Sequence, residues 1–392
     1  MSDSSAPLFT PRFFLMFGFT FTVFLSAFQL LPTAPFHILD LGGSTFAAGL
    51  FLGFLTYSSA LSAPLTGGLA DRLGKRRVLI TCSVALAAFS AVYAVLRDYR
   101  VMLGLVVLHG VFWSGLLSAS SAYVTDIVPA HRRAEGISYW GLSNILAIAV
   151  APTVGFALYA RGWGWLCAVA VALNLGMAVI AWRLPPDRRA AGGSGPHGPL
   201  IEWRVLLLSI TLFLYSYGYG AITSFVALYA DQGGVRPKSI FFTVFALAVL
   251  VTRPFSGRLS DRLGYRRVFL PCLGLMVAGL AVLALDGSRR GLIVSAVVFG
   301  IGLGSAYPAY AAYVIRHVDD RRRGAAFGSI LAAFDTGIGT GSVATGWIAQ
   351  RSSLGVAYGV AALLASLSLP YFLVAEKRLL PAGRAPGRPD LG

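Results

Sequence analysis

Residues 67–78 read Gly67-Gly68-Leu69-Ala70-Asp71-Arg72-Leu73-Gly74-Lys75-Arg76-Arg77-Val78, and residues 257–268 read Gly257-Arg258-Leu259-Ser260-Asp261-Arg262-Leu263-Gly264-Tyr265-Arg266-Arg267-Val268. The two runs agree at nine of twelve positions with a constant displacement of 190 residues. The same displacement aligns Ala122-Tyr123-Val124 with Ala312-Tyr313-Val314 and Arg132-Arg133 with Arg322-Arg323. One displacement shared by separate segments marks a duplicated unit.

What separates these punctuation marks is apolar. Only 12% of the 392 residues are charged and 56% are hydrophobic, a balance that would leave a water-soluble globule covered in apolar patches. The uncharged intervals are 13–39, 41–70, 78–96, 101–125, 136–160, 162–182, 205–230, 239–257 (broken by Arg253), 268–285, 291–315, 324–350 (broken by Asp335) and 352–375. A helix crosses a bilayer with about 20 mostly apolar residues. These intervals show no period-2 alternation, which favours helices over the strands of an outer-membrane barrel. The first interval is too long for a signal-peptide core and lacks a small-residue cleavage site. The expected fold is all-α: twelve transmembrane helices in two six-helix bundles, residues 1–183 and 205–392. The stretch 184–204, with Pro185-Pro186 and Gly192-Gly193-Ser194-Gly195-Pro196, reads as a linker.

An even number of spans puts both termini on one side. With both ends inside, the cytoplasmic segments hold 23 of the 32 basic residues and the external loops hold eight, Arg97, Arg100, Arg161, Arg236, Lys238, Arg289, Arg290 and Arg351. That asymmetry predicts cytoplasmic termini, linker and C-terminal tail. The net charge of +16 sits in short clusters between apolar runs and forms no stripe with interleaved aromatics, so nucleic acid is not an expected partner. Cys82, Cys167 and Cys272 all fall inside apolar runs with no CxxC spacing, which indicates buried thiols, no disulfide framework and no metal site. No cofactor is expected.

The G-x-L-A-D-R-x-G-K-R-R run after the second span, its copy after the eighth, the twelve spans and the central linker together resemble the major facilitator superfamily of secondary transporters, over essentially the whole chain. His109-Gly110, Ile127-Val128-Pro129, Arg132-Arg133 and Glu135-Gly136-Ile137 are similar to a bacterial branch rich in drug:proton efflux permeases. Val106 stands where that branch has an arginine. Ala151-Pro152-Thr153-Val154-Gly155 resembles the span-5 antiporter motif, with Ala151 and Phe156 in place of glycines; Pro152 and Gly155 would form its bend. The resemblance implies two pseudo-symmetric bundles that rock about a central cavity, a small-molecule substrate, a monomer and a place in the bacterial inner membrane. It also implies a conformational gate at Gly67, Asp71, Arg72, Gly74 and Arg76, repeated at Asp261, Arg262, Gly264 and Arg266. Asp71 could pair with guanidinium groups or cap a helix N-terminus; the basic residues could equally anchor to anionic lipid.

Of sixteen acidic residues, Asp335 alone lies deep in a span. It stands roughly 18 Å beyond Arg323 along a helix, where an unpaired carboxylate is costly and should face the protein interior. It could exchange the coupling proton, hold a cationic part of the substrate, or be a structural partner of Arg253. Arg253 could instead snorkel toward the loop cluster. His109 could titrate near neutral pH or be a hydrogen-bonded structural histidine. Gln29, Trp113, Tyr217 and Tyr307 are cavity candidates, since helices 1, 4, 7 and 10 line the cavity in the resembling family, and Asn144 joins them. A cavity with many rings and few fixed charges suits an amphipathic or aromatic solute. The expected function is proton-coupled efflux of such a solute, the alternative being proton-coupled uptake of a sugar or other metabolite. Five histidines, with no HExxH and no GxSxG, argue against a membrane-embedded enzyme, and no filter-like segment argues for a channel.

Overall fold

The computed structural model describes residues 7–129, 132–185, 202–318 and 322–379. The heart of the linker therefore lies outside the described residues, as do the side chains of Asp71 and Asp261.

Every uncharged interval is a helix or a broken helix. In the first half these are α1 (Pro11–Leu30) with α2 (Ala34–Asp40), α3 (Thr45–Leu73), α4 (Lys75–Val95), α5 (Tyr99–Ile127), α6 (Arg133–Trp140) with α7 (Leu142–Tyr159), and α8 (Trp163–Arg183). The second half has α9 (Trp203–Leu208) with α10 (Ile210–Gln232), α11 (Ile240–Leu263), α12 (Tyr265–Leu285), α13 (Arg289–Ile315), α14 (Arg323–Arg351), and α15 (Leu354–Ser366) with α16 (Ser368–Leu379). The hydrocarbon offers no partner to a free backbone N–H or C=O, so each crossing must satisfy its own ladder.

Among the described residues, ten of the twelve spans are long and apolar enough to cross a membrane by composition alone. The two others are α11, interrupted by Arg253, and α14, diluted by Asp335 and its glycines. Both have one face where the two halves meet.

The displacement of 190 residues persists in the coordinates. It separates both ends of α4 from those of α12, the starts of α5 and α13, the starts of α6 and α14, and the ends of α3 and α11. On one face of the molecule, here the repeat face, α3 turns into α4 at Gly74 (φ 92°) and α11 into α12 at Gly264 (φ 86°). Only glycine adopts that backbone without strain, which explains why both copies keep it. On the far face the turns use side chains: Ser44, Asp98, Ser288 and Ser353 accept from the first free N–H groups of α3, α5, α13 and α15.

Gly74→Ala and Gly264→Ala should each cost about 1–3 kcal/mol, read as a lowered thermal midpoint in detergent. Gly68→Ala is the control: it sits within α3 facing open space and should leave the midpoint unchanged or raise it.

Candidate functional site

The halves meet along two seams. In the first, α3 and α14 touch backbone to backbone. A Cβ on Gly49 would sit 2.5 Å from the Ser342 carbonyl oxygen, one on Gly346 would sit 2.6 Å from the Thr45 carbonyl oxygen, and Gly53 and Gly339 are pressed against Val343 and Thr56. Glycines spaced by four and by seven put bare backbone on one helix face, so the axes approach closely. Hydroxyls bridge the gap: Tyr57 bonds Thr340 (2.8 Å) and Ser342 donates to the Gly49 carbonyl (2.8 Å), while within the second half Ser224 of α10 bonds Ser342 (2.6 Å). The Gln350 side chain accepts from the Phe46 N–H at the far end.

Toward the repeat face this contact ends. A Cβ on Gly67 or Gly328 meets nothing within 4 Å, and Leu61 and Leu65 of α3 are 81% and 77% exposed. The seam is closed at the far face and splayed at the repeat face.

The second seam joins α7 to α11. Thr153 bonds Ser239 (2.9 Å), Thr243 donates to the Ala149 carbonyl (3.1 Å), and the Arg253 guanidinium donates to the Gly141 carbonyl (3.0 Å). Gly141 is the break between α6 and α7, so its carbonyl faces a cation from the other half. At the far face the Lys238 ammonium lies 4.5 Å from the Phe36 ring centroid while paired to Asp231.

Asp335 occupies the point where the first seam opens. Positions 335, 339, 342 and 346 recur at i, i+4, i+7 and i+11 and share one helix face, and the last three press on α3. Asp335 therefore lies one turn below the last tight contact. It is half-buried and has no hydrogen bond or ion pair among the described residues. Beside it stands an aromatic wall from four helices. Tyr307 and Phe334 are 5.1 Å apart, Tyr219 stacks on Phe334 (6.3 Å, 28°), Tyr215 meets Phe334 edge-on, and Phe245 lies 6.0 Å from Tyr219.

The remaining candidates are dispersed. Arg253 bonds across to Gly141 and forms no ion pair with Asp335. His109 is buried between α4 and α5, with its Nδ1 hydrogen-bonded to Tyr93 (3.2 Å) and its ring stacked on Phe89, away from Asp335's seam. Trp113 packs edge-on against Phe24. Tyr217 is buried where α10 meets α14 at Gly341. Gln29 is fully buried, and neither its side-chain oxygen nor its nitrogen has a partner among the described residues; the Asn144 side-chain oxygen is likewise unpartnered. Pro152 lies inside α7, which runs unbroken to Tyr159, and Gly155 lets α7 approach the backbone of Gln29.

The loop arginines act within each half. Arg76 donates to the carbonyls of Ala181 and Trp182 at the end of α8, where the helix dipole favours a cation, and Tyr123 donates to the Pro185 carbonyl. Their counterparts Arg266 and Tyr313 both bond Glu376 of α16. Lys75 pairs with Asp126, and at the matching positions Arg316 lies 4.7 Å from the centroid of the Tyr265 ring. Gly67, Arg72 and Arg262 are open to the repeat face.

Sequence reading missed Tyr57, Thr340, Tyr219 and Phe334. The Gly49-x3-Gly53 and Gly339-x6-Gly346 spacings were the available signal for the seam; nothing in the sequence singles out these rings among 26 Phe, 16 Tyr and 7 Trp.

The family model described as Major Facilitator Superfamily matches residues 13–238 and 208–389. The uncharacterized MFS-type transporter YhhS of Escherichia coli K12 is 26% identical over 364 residues, covering 90% of this chain and 89% of its own. The crystal structure of the nucleoside transporter NupG superposes with a TM-score of 0.75 at 16% identity, over 94% of this chain and 100% of its own. A bacterial homolog of the human lysosomal transporter Spinster, in an inward-facing and occupied conformation, gives 0.78 at 15% identity, over 96% and 98%. With the family model matching nearly the whole chain and the fold shared, this protein belongs to the Major Facilitator Superfamily and is a multi-pass membrane transporter.

Proposed function

We propose that this transporter couples proton movement to the efflux of a small amphipathic or aromatic solute by alternating access. The observation that carries the reading is the place of Asp335: an unpaired carboxylate one turn below the closed end of the α3–α14 seam, at the apex of the splayed region. In an alternating-access cycle that position would be served from the repeat face while the seam is splayed there and from the far face once the seam parts. The repeat face carries Arg72, Lys75, Arg76, Arg77, Arg262, Arg266 and Arg267, which supports its being cytoplasmic by the positive-inside rule and the state described being inward-facing. The membrane is then the bacterial inner membrane, with both termini in the cytoplasm and the basic loops against anionic lipid. In this frame Arg76 and Arg266 hold each bundle rigid, Arg253 tethers the halves through Gly141, and His109 is a packing residue.

Protonation of Asp335 from the far face removes the charge that opposes its burial, so the neutral form permits closure of the far face and return of the empty carrier, and the proton is released when the repeat face opens to take up the solute. In inverted vesicles acidified inside, the solute should accumulate; the opposite direction of pH-driven flux would establish uptake. Asp335→Asn should abolish accumulation driven by the pH gradient while solute exchange without a gradient continues. Full pH-driven accumulation by that variant would exclude Asp335 as the coupling group.

The seam gives a second expectation. Gly53→Leu places a side chain where Val343 already sits, so the far face should be propped open. With Ser342→Cys as reporter, labelling by an impermeant maleimide from the far face should rise at least about tenfold on adding Gly53→Leu, and unchanged labelling would contradict opening at this seam.

A further inference from the structure

The two seams close their far ends by different means. In the first, Gly49, Gly53 and Gly346 bring backbone onto backbone. In the second, Gly155, the one glycine of α7, packs on Gln29 of its own half, and the contacts that cross are made by Lys238 and Ser239 at the start of α11. The Ser239 hydroxyl bonds Thr153 (2.9 Å), and the Lys238 ammonium lies 4.5 Å from the centroid of the Phe36 ring. Each member of the second contact is fixed to its own half. Phe36 is buried, with its ring edge-on to Phe156 (5.3 Å). Its helix α2 is held by the stack of His37 on Trp163 (4.0 Å, 9°) and by the bond that Tyr159 donates to Asp40. On the other side Lys238 pairs with Asp231 (2.9 Å), which also accepts from Arg236 (2.5 Å). When the halves part, the ring therefore stays with one and the ammonium with the other.

The two crossing contacts differ in what opening costs. A hydroxyl pair exchanges its partner for water with little net change, so Thr153 with Ser239 hardly favours either state. A cation over a ring face is attracted by the ring quadrupole, and more strongly where water is partly excluded; the Lys238 side chain is only 25% exposed. Parting the halves takes the ammonium off the ring and leaves it paired to Asp231, so one attraction is lost and no charge is stranded. At the far end of the first seam the crossing side chain is the neutral Gln350, bonded to the Phe46 N–H, and supplies no matching attraction. We infer that Phe36 and Lys238 form a far-face latch, a cation–π contact between the halves that is made in the state described, is released when the far face opens, and sets how often it opens. The latch rests on the alternating-access part of the reading above and holds whether or not protons drive the transport.

The test is the rate at which an impermeant maleimide labels the Ser342→Cys reporter, with the full chain in sealed vesicles that expose the far face. Phe36→Leu keeps the bulk and removes the π face, and Lys238→Gln keeps most of the length and removes the charge. Each should raise the labelling rate about fivefold, the worth of one partly desolvated cation–π contact. Since both remove the same contact, the double variant should label no faster than either single one. Phe36→Tyr keeps a π face and should label at the rate of the reporter alone. Unchanged labelling in both single variants overturns the latch, as do effects that add in the double variant, or Phe36→Tyr labelling as fast as Phe36→Leu. Gly53→Leu separates this failure from that of the frame. If it raises labelling and the latch variants do not, only the latch fails; if none of them does, opening of the far face itself fails.

Discussion

Bare backbone against bare backbone, where α3 meets α14, is the contact on which the rest of the arrangement depends. In lipid there is little hydrophobic gain in pressing two helices together, because the acyl chains are as apolar as leucine. Close approach must then come from shape, and Gly49, Gly53, Gly339 and Gly346 supply it by having nothing to displace. Dispersion between closely spaced atoms is weak per pair and falls off steeply, so such a seam is either fully made or absent. The hydroxyl bonds across it have the same character. Thr340 also donates to the Thr336 carbonyl of its own helix, so parting the seam leaves it with a partner, and Tyr57 would move into a wet cleft. An interface built this way can open without stranding polar groups in hydrocarbon.

Rocking about such a seam needs each half to move as a body, and the repeat-face loops show how that is achieved twice with different chemistry. Arg76 caps the carbonyl end of α8, whereas Arg266 finds a carboxylate, Glu376, in the corresponding helix. Lys75 with Asp126 becomes Tyr265 with Arg316, the cation having changed sides and the anion having given way to a ring. The two arginines tie each loop to the last helix of its own half. What the duplication preserved is the position of the tie, and the exposed ion pairs themselves contribute little stability.

The spans and the repeat were legible in the sequence because lipid imposes length and apolarity on every crossing, and because a positive-φ turn demands Gly74 and Gly264. The deep position of Asp335 was legible for the same reason: one charge in a long apolar interval stands out by itself. Its surroundings were not. Arg253 and Asp335 look like natural partners as the two charges within spans, yet Arg253 reaches Gly141 because α11 packs on α7, a tertiary relation that no periodicity encodes. His109 looks like a proton carrier by residue type, and a hydrogen bond to Tyr93 with a stacked Phe89 makes it part of the packing of α4 on α5. The breaks at Leu31–Thr33, Gly141 and Leu367 were equally hidden, since uncharged residues run through all three.

The two halves share a fold but not a chemical task. At the displacement of 190, Asp335 corresponds to Ile145, Tyr307 to Leu117 and Arg253 to Ala63, so the charges and most rings of the cleft belong to the second half. At those matched positions the first half carries only uncharged side chains. Such asymmetry suits a machine in which one wall must change charge during the cycle. A carboxylate whose protonation alters its desolvation cost works best when the facing wall stays neutral, because a fixed charge opposite it would hold it ionised or protonated throughout. The uncharged Ala63, Leu117 and Ile145 at the matched positions meet that condition in every protonation state of Asp335.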